Sequence, residues 1–458
     1  MKVIYDHSLK IGGIGISPWT RLGPERWLSE YKIASFFGAE EGIIGLPPIY
    51  SIFGKGAQTL PRYNTANLLR EAAFQTLLDE HFNDYKLFTY KSADAPEHIK
   101  HFLLRPDEKY AHLAKTLENK AEFRRLFSSK AVRFPEFSIR AKEDIMGFES
   151  VGPLLDGRDA VIVQDAEMSG GKGTFLVKDE TSFAKAKEVL LKGSSAEVVI
   201  SEVVAHPRER SIQCVATKHG IFMGPPQVQI IDEPLLINRD VVGAEKFCGV
   251  VIDRGLTTSA QQTAMRQIAA LIGEKIVDMG YKGIFGIDFL VDDKDEVFVL
   301  EVNPRVTGAT PLLTAMYSSD AYIPFNLLHI LEIMKQDYKI ELDNTESNAY
   351  EKAPAASLMI LHSQLTVRAE IVETLKTGIY SKDLEFIAPS VTFDDMEEGQ
   401  YLIQSIAPSG AKISPAGRLL TIFYKGSVLD KDGKISEAIQ RDIESMYKRI
   451  KLIEATEE

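Results

Sequence analysis

Apolar residues return at the helical period in four stretches of the chain. Over residues 65–82, Leu69, Ala73 and Leu77 make one stripe with Phe74, Leu78 and Phe82 beside it, which predicts an amphipathic helix. Residues 119–128, with Phe123, Leu126 and Phe127 apolar, predict a second. The clearest is 258–279, where Met265, Ile268, Ile272, Ile276 and Met279 keep the period and Gly280 stands where a helix-ending glycine belongs. Ile435, Ile439, Ile443, Met446, Ile450 and Ile453 mark a helix near the C-terminus. Short apolar runs predict strands at 86–90, 137–139, 160–163, 175–177, 198–200, 284–291, 296–302, 355–361 and 419–424. Residues 12–18, Gly-Gly-Ile-Gly-Ile-Ser-Pro, read as a turn-rich loop, and the polar stretch 341–354 as a linker. The segment 224–255 shows no pattern.

Two pairs of strands are separated by short non-apolar segments, so each predicts a hairpin. The first has the glycine-rich stretch 168–174 at its tip; the second turns through Asp292, Asp293, Lys294 and Asp295. The chain is long enough, at 458 residues, for about three domains. Its formal charge of −12 argues against general nucleic-acid affinity, because phosphate backbones select basic surfaces. No apolar run approaches the ~20 residues that span a bilayer, and the N-terminus lacks a signal-peptide core. The two cysteines, Cys214 and Cys248, form no C-x-x-C pair, and the nine histidines show no metal-binding spacing. A cytoplasmic protein without a disulfide framework or zinc site is expected.

Candidate chemistry concentrates in the hairpins. With a four-residue turn at 292–295, Asp288 faces Val299 and lies diagonal to Glu301, whose face Asn303 shares. Two carboxylates and an amide oxygen thus converge between apolar neighbours. Bare carboxylates there would repel each other, and a hard divalent cation resolves the conflict. Arg305, just past Pro304, adds a planar cation suited to a carboxylate or a transferring phosphoryl group. At the first hairpin tip, Ser169, Gly170, Gly171, Lys172, Gly173 and Thr174 can bring backbone N–H groups against phosphate oxygens. The tip is not a Walker loop, since G-K-G replaces G-K-[ST] and a strand follows. The strand at 198–200 ends in Ser201, Glu202, Val203 and Val204, which can offer backbone groups to an adenine edge.

Taken in order, a helix lysine, a glycine-rich hairpin, an apolar strand with Glu, and then D…E-x-N-P-R resemble the ATP-grasp superfamily, over about residues 115–335. The resemblance implies a mixed α/β and α+β architecture: a Rossmann-like domain over 1–114, nucleotide-binding lobes over 115–340 and a small α+β domain over 341–458. It also implies ATP, with Lys120 at the α-phosphate, the 169–174 loop over the β- and γ-phosphates, residues 201–204 as the adenine hinge and Glu209 on the ribose. Asp288, Glu301 and Asn303 would hold two Mg²⁺ ions, and Arg305 would steady an acyl-phosphate transition state. One position departs from the family pattern. The strand entering the loop usually ends in a phosphate-binding lysine, and here it carries Gln164, which offers hydrogen bonds but no charge; Lys172 or Lys178 would have to substitute. The implied activity is ADP-forming ligation of a small-molecule carboxylate to an amine. The loop sequence is also similar to natural-product peptide ligases and the whole stretch to biotin carboxylases. A biotin carboxylase-like or other acyl-phosphate enzyme and a non-catalytic nucleotide-binding module stand as alternatives. No nucleic acid or membrane partner is expected, and a homodimer is compatible with the reading.

Overall fold

The computed structural model describes all residues except 56, 91–93, 105–106, 146, 152–154, 156, 242, 317–322, 343–353 and 456–458. Near the N-terminus, four strands form a parallel sheet in the order Ile49–Ser51, Lys32–Ser35, Ile11–Gly15, Lys86–Phe88. The expected loop at 12–18 is therefore largely a central strand. Its glycines serve close packing, not turning. A Cβ on Gly12 would stand 2.8 Å from Leu87 Cδ2, and one on Gly13 would stand 2.2 Å from the Tyr31 hydroxyl. The expected helix over 65–82 is two helices, Thr65–Leu68 and Ala72–His81. At 100° per residue a straight helix would spread Leu68, Leu69, Phe74, Leu77 and Phe82 around most of its circumference; the break lets all five be buried.

A four-stranded antiparallel sheet follows, in the order Phe137–Ala141, Glu197–Glu202, Val161–Asp165, Thr174–Val177. The helix Glu180–Leu190 covers one face through Phe183, Ala186 and Leu190. Ala121, from the helix Lys120–Phe127, packs on the other against Ala166 and Val199. That helix starts cleanly because the Asn119 side chain accepts hydrogen bonds from the Ala121 and Glu122 amides. A second helix, Glu108–Glu118, abuts it and was not legible as a separate element.

The rest of the chain is organised by one ten-stranded sheet. Its order is Val297–Asn303, Gly283–Val291, Arg208–Thr217, Gly220–Ile231, Phe247–Ile252, Ala356–His362, Arg418–Tyr424, Tyr401–Ser405, Gly378–Tyr380, Phe386–Ala388. The helix Ser259–Asp278 lies on it, opened by a reciprocal Thr258–Gln261 cap and closed by Gly280 at φ +99°. Its stripe of Met265, Ile268, Ile272 and Ile276 meets Cys214, Phe285 and Phe289, each such buried side chain contributing roughly 1.5–3 kcal/mol. The patternless segment 224–255 holds most of the strand Gly220–Ile231 and all of Phe247–Ile252, the latter buried along nearly its whole length. The C-terminal strands extend the same sheet, since Phe247–Ile252 pairs with Ala356–His362. A separate three-stranded sheet joins Lys412–Ile413, Ala369–Glu373 and Lys451–Glu454. The last helix is Glu437–Lys448 only. Ile453, read as part of its stripe, lies in the strand Lys451–Glu454 and is exposed. The expected linker begins at the end of Lys339–Glu341, which pairs with Lys2–Ile4; its residues 343–353 lie outside the described residues. Among the described residues no helix is long and apolar enough to cross a membrane.

Candidate nucleotide and metal site

The second hairpin differs in register from the sequence expectation. Val291 pairs with Val297, Phe289 with Val299 and Asp288 directly with Glu301, because a bulge falls between Asp288 and Phe289. The turn is wider than four residues. Asp292 N–H bonds to Glu296 O, Asp295 takes φ +64°, and the Asp292 carboxylate accepts from the Lys294 and Glu296 amides. Asp288 and Glu301 are therefore direct cross-strand partners and not diagonal ones.

The neighbouring strand Arg208–Thr217 sets Ser211 beside Asp288, and the next strand sets Gln227 beside Ser211. Residues paired in this way share a face, so Glu209, Ser211, Gln227, Asp288, Glu301 and Asn303 line one polar surface of the sheet. Gln229 Nε2 donates to Asp288 Oδ1 at 2.6 Å. Asn303 Nδ2 donates to Asp288 Oδ2 at 2.9 Å and to Glu301 Oε1 at 3.4 Å. The amide oxygen of Asn303 is turned instead toward Arg305, accepting from Nη2 at 2.9 Å. Asn303 thus reaches the cluster, but with its nitrogen toward the carboxylates. Burial, reinforced by the charge of Glu301, pushes the Asp288 carboxyl up to about 7. Burial acts the same way on Glu301, but Lys120, Arg305 and Asn303 together outweigh it and hold that carboxyl below its ordinary value.

Lys120 comes from the helix that packs on the four-stranded sheet. It is 5% exposed, and its Nζ lies 3.2 Å from Glu301 Oε2 and 2.6 Å from the Met168 carbonyl. One lysine therefore links the carboxylates to the entrance of the glycine-rich loop. Arg305 Nε pairs with Glu118 Oε1 at 2.9 Å, at the junction of the two lobe helices.

The loop is shaped by Asp165, whose Oδ1 accepts from the Glu167 and Met168 amides and whose Oδ2 pairs with Lys142 at 3.1 Å. Gly170 and Gly171 take φ +70° and +73°, a conformation that costs a residue with a side chain ~1–2 kcal/mol. The tip rests on the ten-stranded sheet: the Lys246 amide donates to Gly170 O at 3.2 Å and Lys246 Nζ to Thr174 O at 3.3 Å. Ser169 and Gly173 belong to the same loop; Lys172 is exposed at it, and Lys178 is exposed beyond the strand that follows.

Gln164 pairs across the hairpin with Thr174, its Nε2 donating to Thr174 Oγ1 at 3.1 Å. Its oxygen accepts from Arg124 Nη2 at 3.4 Å. Arg124 is 1% exposed and lies over the Phe134 and Phe137 rings. Burial holds its guanidinium down to about 10, with Glu301 pulling the other way. A cation thus stands beside Gln164, supplied by a helix residue. Ser201 is buried opposite Ile162, on the face that Gln164 shares. The Glu202 carboxylate accepts from the Glu136 amide at 2.8 Å, Val203 is exposed and Val204 buried. Glu209 has its carboxyl raised by burial.

Sequence reasoning missed Arg124, Gln227, Gln229 and Glu118. The alternation Gln227-Val228-Gln229 in an apolar run was the available signal for two of them.

Residues 117–309 match the ATP-grasp domain family. That segment carries an ATP-grasp domain. Solved structures share the fold of this chain along nearly the whole length. Carboxyaminoimidazole ribonucleotide synthase from Aspergillus clavatus, complexed with ATP, superposes with a TM-score of 0.55 at 13% identity, covering 97% of this chain and 100% of that one. The biotin carboxylase domain of Hydrogenobacter thermophilus 2-oxoglutarate carboxylase, solved with MgADP and bicarbonate, gives 0.59 at 12% identity, covering 97% and 91%. Phosphoribosylamine–glycine ligase from Thermotoga maritima gives 0.54 at 14% identity, covering 97% of both. The glycine-rich hairpin and the carboxylate hairpin of this domain lie on different sheets and face each other across Lys120.

Proposed function

We propose that the protein is an ADP-forming, ATP-dependent ligase that joins a small-molecule carboxylate to an amine through an acyl phosphate. The observation that carries the reading is the largely half-buried set Asp288, Glu301, Asn303 and Arg305 bridged by Lys120 to the glycine-rich loop. Phosphoryl transfer asks mainly for positioning and charge neutralisation, and this set supplies both.

The donor set fits magnesium. Two facing carboxylates, one of them kept partly protonated near neutrality by burial and like charge, are what a hard divalent cation stabilises. Among the described residues no group of three or more acidic, histidine or cysteine side chains forms a cage. That suits an ion that completes its shell with phosphate oxygens and water. Bound there, the ion would neutralise charge on the β- and γ-phosphates. Asn303 would rotate its amide to present the oxygen, which frees Arg305 to turn toward the γ-phosphoryl group and the attacking carboxylate. Lys120 would exchange one of its two present partners for a phosphate oxygen. Arg124 would supply, from the helix, the cation that the family places at position 164. Ser201 to Val204 would hold adenine, Glu209 the ribose, and the loop 169–174 would exclude water that hydrolyses an acyl phosphate. The domain limits at 114 and 340 belong to the same reading, as does a cytoplasmic location, with which two buried free thiols agree.

The likeness to the biotin carboxylase domain and the carboxyaminoimidazole ribonucleotide synthase favours a second reading, bicarbonate as the activated acid. An ADP-release screen over carboxylates and amines, with and without bicarbonate, separates the two. With ¹⁸O in the acid, one label should appear in inorganic phosphate. Label in AMP with pyrophosphate release would overturn the mechanism.

A further inference from the structure

The glycine-rich loop touches a second group of charges that nucleotide binding does not use. Gly170 lies over Glu245, and Gly171 over Lys246. Glu245 forms a two-bond pair with Arg418, at 3.1 Å to Nε and 2.6 Å to Nη2. Arg418 opens the strand Arg418–Tyr424, and Trp19, in the turn that follows the Ile11–Gly15 strand, reaches the neighbouring strand Tyr401–Ser405. Trp19 Nε1 donates to Ser405 O, and Ser405 pairs with Leu420, two residues beyond Arg418. Two residues beyond Trp19 is Arg21.

Arg21 is 8% exposed. Its Nε donates to Ile14 O, its Nη1 to Thr20 O and Oγ1, and its guanidinium lies 3.9 Å from the centre of the Tyr90 ring. Among the described residues no carboxylate pairs with it. Burying a guanidinium against neutral groups alone is costly, and a second guanidinium nearby adds to the cost. Burial and the charge of Arg418 both act to hold Arg21 below its ordinary value. Lys172 is close enough to help hold Glu245 ionised. His362, paired across the strand with Arg418, is buried and held neutral, pushed down to about 4. The group therefore holds more positive charge than its carboxylate balances. It also borders the proposed reaction centre: a Cβ on Gly308, three residues past Arg305, would meet the Phe247 ring, which adjoins Lys246. Arg21 sits at the C-terminal end of the Ile11–Gly15 strand, where open parallel sheets receive ligands.

We propose that Arg21 and Arg418 together form a recognition site for an anionic group, carboxylate or phosphate, on a substrate, with Glu245 as its placeholder counter-charge. The site rests on the ligase reading for its meaning, since it would fix the substrate under the loop. Its test does not rest on turnover. The full chain, saturated with MgADP, is titrated with inorganic phosphate, succinate and, as uncharged control, succinamide at matched ionic strength, and melting temperature and heat of binding are recorded. Saturable stabilisation by phosphate or succinate, absent with succinamide, is expected. Preference between the two tells a phosphate ester from a second carboxylate. Arg418→Met should weaken anion binding at least tenfold, Arg418→Lys partly restore it, and Glu245→Gln tighten it severalfold, with ADP affinity unchanged throughout. Arg21→Met should match Arg418→Met; if it fails to fold, the Arg418 and Glu245 variants decide alone. No saturable anion effect, or anion binding indifferent to Arg418→Met and Glu245→Gln, overturns the proposal. Failure of the ¹⁸O experiment would overturn the ligase reading and leave this result standing.

Discussion

Replacing Lys120 with methionine keeps the length of the side chain and removes its charge. In the native chain its ammonium sits between Glu301 Oε2 at 3.2 Å and the Met168 carbonyl at 2.6 Å, with 6% of the side chain exposed. Breaking a buried ion pair from one side costs about 3–5 kcal/mol, because the remaining charge loses its partner in a poorly solvated place. Here the remaining charge is Glu301, whose side chain is 23% exposed and directly opposite Asp288. Partial solvation places the cost at the low end, about 3 kcal/mol, a drop of several degrees in the melting of the lobes. The nucleotide effect is separate. A hydrogen bond to a charged group contributes about 1.5–3 kcal/mol, but Lys120 must release a present partner to make one with phosphate. The net loss should be nearer 1.4 kcal/mol, about tenfold in ADP affinity. Calorimetry of ADP binding, with scanning calorimetry of the free protein, reads both. An ADP affinity within twofold of native would remove Lys120 from the nucleotide site. An unchanged melting temperature would show that the pair with Glu301 contributes nothing to folding.

Glu301→Ala and Asp288→Ala should each lower turnover at least 10²-fold, as loss of one charge-stabilising group commonly does, while circular dichroism stays native; near-normal turnover at saturating Mg²⁺ would refute the metal assignment. Gly171→Ala forces a side chain into φ +73° and within 3.1 Å of Lys246 Cδ. It should cost ~1–2 kcal/mol of loop docking and make residues 169–174 more sensitive to protease with ATP and Mg²⁺ present; equal cleavage in variant and native protein would count against a lid. His329 accepts the Ile284 amide at 2.9 Å, and burial pushes its imidazole down to about 4. The unfolded imidazole titrates near 6.5, so between pH 6.5 and 4 the unfolded chain binds a proton that the folded chain refuses. Stability must fall as pH drops through that window, by about 3 kcal/mol in all. Thermal melts of His329→Asn should show a shallower decline there, and parallel pH curves would refute the assignment.

The amino-acid order alone determined much of this protein. Strand alternation put Glu301 and Asn303 on one face, glycine spacing marked the hairpin tip, and the period from Met265 to Ile276 fixed the long helix. These are local signals, set by the repeat of the backbone. Order and spacing then sufficed to point to the ATP-grasp domain that residues 117–309 match. What the tertiary structure decided depends on neighbours far away in sequence. Gly12 and Gly13 look like turn residues, yet they lie in a strand because Leu87 and Tyr31 leave no room for a Cβ. The break near Leu69 follows from how many sides of that segment must be buried. A turn one residue wider and the bulge beside Asp288 each shifted the register by one, and together they moved Glu301 from a diagonal to a direct partner. Arg124 could not be assigned from sequence, because a lone arginine on a helix is ordinarily a solvated charge. Only when two lobes close over it, with Gln164 from a hairpin and Glu301 from a different sheet, does the same residue become a buried cation. The physical reason is general to the site: charge at a nucleotide-binding cleft is set by what surrounds each group, and those surroundings come from elements 40 to 180 residues apart.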